Sequence, residues 1–232
     1  MKNMVILPSC LERTVEQKIV TDIDKQQWIW VPGTNKFVSV GQSYNNLRWN
    51  PALTTVLRET PFVVPSPAIF MPHYTNVCAS VRKRNPQPIY DGAHEPLSRS
   101  RRNDLYERRT TKTWISLDAY FKKQKGKLLL ATDHHLVNGV LKPQTLQPLE
   151  QRVEGNDILV DLHWNRQGLP IKRSKIGEYT RGENLIFYQP AAGCVAWFCA
   201  VSGRAVLCCV EDLQFSDASL GVLLCAEGAA KK

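Results

Sequence analysis

The chain has 232 residues, 43% of them hydrophobic and 22% charged, with 30 Lys or Arg against 21 Asp or Glu for a net charge of +9. This supplies the core of a single domain, 1–232. A secretory leader is not expected, because the apolar run Met4 to Leu7 stops at Pro8. A membrane span is not expected either, because the longest uncharged stretch is broken by Gln189, Pro190 and Gly193.

In chain order, residues 15–40 read as strands. Segments 27–31 (QWIWV) and 36–40 (KFVSV) flank the turn Pro32-Gly33-Thr34-Asn35. A short helix follows, capped by Asn50, begun by Pro51 and ended by Pro61, with Leu53, Val56 and Leu57 on one face. Prolines 61, 65, 67 and 72 predict an extended path beyond it. Residues 81–109 read as a polar loop or arm. A second short helix is predicted over 116–125, with Ser116 as cap and Gly126 as stop.

Strands then return. Asn138-Gly139 marks a hairpin between 127–137 and 140–142, and residues 157–164 alternate with Val160, Leu162 and Trp164 on one face. Segments 183–189, 193–201 and 204–210 follow. The last two are apolar on both faces, which places them centrally in a sheet. The expected fold class is α+β and β-rich: an antiparallel sheet, sandwich or partly open barrel with two short helices. A basic insertion, 81–127, lies near its middle.

That insertion concentrates the charge. Thirteen Lys or Arg and five acids lie between Arg82 and Lys127, so 46 residues carry +8 of the +9. A localised positive field attracts polyanions. Aromatic rings that can stack bases are interleaved with it. The residues expected to meet phosphate are Arg99, Arg101, Arg102, Arg108, Arg109, Lys122 and Lys123, with Tyr106 and Trp114 stacking. A second cluster contains Lys172, Arg173 and Lys175, along with Arg166 and Arg181. Two basic loops converging on one face would form a groove. No RNP motif, zinc finger, KH loop or helix-turn-helix is present, so the pattern does not choose between RNA and DNA.

Asp133-His134-His135 is the sharpest chemical candidate. Alternation puts Asp133 and His135 on one face of a strand. Asp161 and His163 pair likewise, and if the two strands were neighbours the four would form a hydrolytic site for manganese or magnesium. The triplet resembles the motif of the DHH phosphoesterases, whose manganese sites hydrolyse phosphate esters, and Asp22-Ile23-Asp24 is similar to their early aspartate motif. The resemblance covers only these residues. Lys25-Gln26-Gln27 stand where that family's small residues would follow.

No Walker A loop, dinucleotide glycine pattern, HExxH or GxSxG occurs. The seven cysteines include no CxxC pair and read as buried free thiols of a reducing compartment, hence a cytoplasmic protein. The leading expectation is a non-catalytic nucleic-acid-binding subunit of a ribonucleoprotein or DNA-processing assembly, needing no cofactor. The alternatives are the metal-dependent phosphoesterase or nuclease, and an adaptor that docks an acidic protein.

Overall fold

Ile115, Leu117, Ala119 and Phe121 are all fully buried, and each is separated from the next by one residue. This two-residue period belongs to a strand, and the segment Thr113–Gln124 is one (β3). The helix expected over 116–125 is therefore corrected: Ser116 and Asp118 sit on the opposite face of a strand and cap nothing. In the computed structural model, which describes residues 25–201 and 203–227, β3 lies near the centre of a seven-stranded mixed sheet. Its other members are β4 (Lys127–Val137), β5 (Val140–Pro148), β6 (Ile158–Asp161), β7 (Asn184–Tyr188), β8 (Cys194–Val201) and β9 (Arg204–Asp212).

The order is β5-β4-β3-β8-β9-β7-β6, antiparallel except for the parallel pair β7–β9. The sheet does not close into a barrel. Its centre holds β8 and β9, the two strands whose sequences are apolar on both faces. The β4–β5 hairpin turns at Asn138 and Gly139, both at positive φ (52° and 76°), as a two-residue turn of this kind requires.

A smaller antiparallel sheet is formed by β1 (Trp28–Val31), β2 (Lys36–Ser39) and β10 (Cys225–Glu227), in the order β1-β2-β10. Between the two sheets runs α2 (Pro67–Ser80). Its Phe70, Met71, Tyr74 and Cys78 share one core with Val31 and Val38 of the small sheet and with Ile115, Phe198 and Leu207 of the large one. The extended path expected from the prolines is thus corrected. Pro67 occupies the first helical turn, where its missing N–H costs nothing, and Pro72 is carried inside a helix whose burial outweighs one lost hydrogen bond.

The arm expected at 81–109 is also corrected over its second half, where α3 (Arg99–Thr111) runs beside α2. Ser98 caps it, its Oγ accepting from Arg101 N at 3.4 Å. The remaining helix, α1 (Trp49–Glu59), begins one residue before the expected Asn50 cap, which instead accepts from Thr54 through its side chain. It covers the other face of the large sheet, with Trp49, Leu53 and Val56 against Val195 and Tyr120. Trp49 Nε1 donates to Leu117 O at 2.7 Å. Among the described residues no helix is long and apolar enough to cross a membrane.

Candidate functional site

The C-terminus of α2 leaves carbonyls that the helix cannot satisfy from within. Ala79 O accepts from Arg82 N at 3.4 Å and from Gln87 N at 3.2 Å, and Ser80 O accepts from Arg102 Nη1 at 3.2 Å. The chain leaves this end through Arg82, Lys83 and Arg84, all exposed and, among the described residues, in no ion pair. Positive side chains are favoured here, where the helix dipole presents its negative end.

Opposite them stands Arg181. Its guanidinium lies 4.8 Å from the centre of the Tyr106 ring. Its Nη2 donates to Glu107 Oε2 and its Nε to Thr110 Oγ1 at 2.7 Å. The Glu107 carboxyl is held below its ordinary range by that hydrogen bond. Tyr106 Oη donates to Arg181 O at 3.3 Å, so ring and loop brace one another. Gly182 packs on the same ring at a φ of +78°, and a Cβ there would come within 2.9 Å of the phenol oxygen.

These groups line an open groove of about 670 Å³, with Arg82, Lys83, Arg84, Tyr106, Ile176 and Arg181 among its lining residues. Asp161 and Glu183 also line it. Asp161 is neutralised by Lys172 at 2.8 Å, an ion pair that lowers its pKa. Glu183 is in no ion pair among the described residues, so Arg82, Lys83 and Arg84 outnumber one unpaired carboxylate and the groove keeps a positive excess, with a half-buried aromatic ring inside it. Two basic regions about 100 positions apart meet here, because α2 ends where the loop between β6 and β7 passes.

The residues expected to hold phosphate are otherwise dispersed. Arg109 is 2% exposed and packs between α3, α2 and the end of β2. Its Nε donates to His73 Nε2 at 3.1 Å and its Nη2 to Ser39 O at 2.7 Å. Arg102 caps α2 as described. Arg101 donates to the Gln26 carbonyl and lies 3.9 Å from Asp91. Arg99 and Arg108 are exposed on α3.

Lys122 and Lys123 lie at the far end of β3, roughly 30 Å from α3 at the rise of a strand. There, with Lys125 and Lys127, they form an exposed hairpin tip. Lys172 is held by Asp161, Arg173 donates to Glu154 O at 2.7 Å, and Lys175 is exposed. Tyr106 belongs to the groove. Trp114 does not: it lies on the opposite face of the sheet, 5.8 Å from Trp197 and 6.3 Å from Phe215 between ring centres.

The Asp-His-His triplet comes apart in the same way. His134 is buried, its Nδ1 bonded to Asp118 Oδ1 and its backbone N donating to Asp118 Oδ2 at 3.0 Å. Asp133 is exposed at a φ of 55° and accepts from Thr145 Oγ1 at 2.6 Å. His135 is exposed opposite Lys142.

Asp161 ends β6, His163 follows it, and β6 is five strand positions from β4, roughly 24 Å at the usual strand spacing. The four residues do not converge. Among the described residues no cluster of three or more His, Cys, Asp or Glu could hold a metal ion. Asp22 to Asp24 lie outside the described residues. None of the protein-family models, curated proteins or solved structures compared with this chain matches it.

Proposed function

We propose that the chain binds nucleic acid through the phosphate backbone, with the groove at the end of α2 as the contact surface, as a non-catalytic subunit of a larger assembly. The observation that supports this reading is the meeting of Arg82, Lys83 and Arg84, none of them ion-paired among the described residues, with the Arg181–Tyr106 stack in a single cavity. The three cations would neutralise phosphates and release the counterions condensed on the nucleic acid, and the edge of Tyr106 offers a surface for a base. No base-reading helix or strand accompanies the groove, so binding is expected to follow backbone charge more than sequence.

The test is fluorescence anisotropy with labelled single-stranded RNA, single-stranded DNA and duplex DNA across a salt series. A variant carrying Arg82→Ala, Lys83→Ala and Arg84→Ala should lower the slope of log affinity against log salt by about 2 to 3, at 0.7 to 0.9 per phosphate contact. The hairpin variant Lys122→Ala, Lys123→Ala should keep the wild-type slope. Equal slopes for all three proteins would refute the assignment. Co-purification of an acidic protein, with no oligonucleotide binding, would replace it with the adaptor reading.

A further inference from the structure

Arg109 is a buried cation that the protein does not neutralise. Its two bonded partners, the His73 ring and the Ser39 carbonyl, are both uncharged acceptors, and among the described residues no carboxylate lies within ion-pairing distance of it. His73 is fully buried, and burial, reinforced by the Arg109 charge, holds its pKa well below the ordinary value, so it stays neutral. The third guanidinium nitrogen, Nη1, makes no hydrogen bond to the described residues and is not sealed from solvent, so it is open to a ligand. A guanidinium only 2% exposed and without a counterion is costly to bury, and an anion that met it would offset that cost.

A cavity of about 490 Å³ opens beside it, between α3 and the segment that follows β2, and Arg109 forms part of its wall. Arg108 and Lys112 line the same cavity, and neither is in an ion pair among the described residues. The acids there are Asp104 and Glu107, and Glu107 is occupied by Arg181. Three cations therefore face one unpaired carboxylate. The volume lies in the range of small-molecule pockets and suits a compact charged group.

We propose that this cavity binds a small anion, a phosphate monoester or carboxylate, with Arg109 as the buried contact and Arg108 and Lys112 closing over it. Arg109 offers its unbonded Nη1 edge, while His73 and Ser39 hold the plane of the guanidinium, so the donor is already oriented before the ligand arrives. The site is separate from the groove at the end of α2: the two cavities share no lining residue, and Arg109 lies two positions along α3 from Glu107, about 200° round the helix. The proposal stands whether or not the groove binds nucleic acid.

The experiment is an NMR titration of the ¹⁵N-labelled protein with inorganic phosphate and, separately, acetate, read at the arginine Nε–Hε resonances. A saturable shift of the Arg109 Nε signal is expected. The double variant Arg108→Ala, Lys112→Ala, which changes only exposed side chains, should weaken that binding by about tenfold, the effect of losing charge-assisted contacts. Arg109→Met should abolish it, with the amide spectrum reporting whether that variant is folded. The variant carrying Arg82→Ala, Lys83→Ala and Arg84→Ala should bind phosphate as the wild type does. No saturable shift with either anion, or equal affinity in the Arg108, Lys112 double variant, would overturn the proposal. So would a shift that is lost in the α2-end triple variant.

Discussion

Gly182→Ala perturbs the groove without removing a charge. The residue sits at a φ of +78°, where an L side chain costs roughly 1 to 2 kcal/mol. Its new Cβ would come within 2.9 Å of Tyr106 Oη and 3.0 Å of Cε2, so the ring must move by a few tenths of an ångström. That ring carries Arg181 at 4.8 Å, a contact of about 0.5 to 1 kcal/mol, and its hydroxyl holds the Arg181 carbonyl.

The expected total loss is about 1.5 to 3 kcal/mol, measured as a lower urea midpoint with an unchanged denaturant slope. A double-mutant cycle separates the two parts. In a Tyr106→Ala background the clash disappears and only the backbone cost, about 1 to 2 kcal/mol, should remain. An identical loss in both backgrounds would show that Gly182 is not needed for the ring's position, and the account of how the groove is braced would fail.

Three further outcomes follow from the buried groups. His73 is held neutral in the fold, so the unfolded chain binds one more proton below about pH 6.5 and stability falls as pH drops through that value. Between pH 7.5 and 5.5 urea titrations should show about 1.4 kcal/mol more loss in the wild type than in His73→Gln, and parallel curves would contradict the assignment. Asp118→Ala strips the buried His134 of its ring and backbone partners and should cost about 3 kcal/mol or more in the same titration; a loss below about 1 kcal/mol would show the pair to be dispensable. Burial pushes the thiols of Cys78, Cys199 and Cys225 up to about 12, while Cys194 is partly exposed. Mass spectrometry after brief iodoacetamide treatment of the native protein should therefore find Cys194 alkylated ahead of the five buried cysteines.

The parts of the fold that sequence reading recovers are those whose local and global preferences agree. Asn138-Gly139 needs positive φ at both positions and meets that need in a hairpin, and the doubly apolar strands β8 and β9 occupy the sheet centre. The parts it misses are those where tertiary packing overrules a local signal. In β3 the alternation of Ile115, Leu117, Ala119 and Phe121 is present, but Ser116, Asp118 and the trailing lysines imitate helix-end chemistry. In α2 apolar residues surround the helix because sheets and a helix flank it, so no one-sided period exists to offset the prolines.

In α3 the packing stripe consists of Arg102, Leu105, Tyr106 and Arg109, mostly polar residues at helical spacing. The surplus of charge in the middle of the chain was readable, but its distribution was not. A twelve-residue strand carries Lys122 and Lys123 away from α3, and Arg109 turns inward. Arg82 to Arg84, counted only as part of a run, join Arg181 at the groove. Their signal in the sequence was the exit of a helix, which cannot be read when the helix itself is not recognised.

The central claim, that the end of α2 is where a phosphate backbone lies, is tested most directly by ultraviolet crosslinking of the wild-type protein to a labelled oligonucleotide, with the crosslinked peptides identified by mass spectrometry. Adducts should fall on Tyr106 and on the peptides containing Cys78 to Arg84 and Ile176 to Glu183. Adducts confined to the lysine hairpin at 122–127 or to Trp114, or no adduct at low salt, would contradict it.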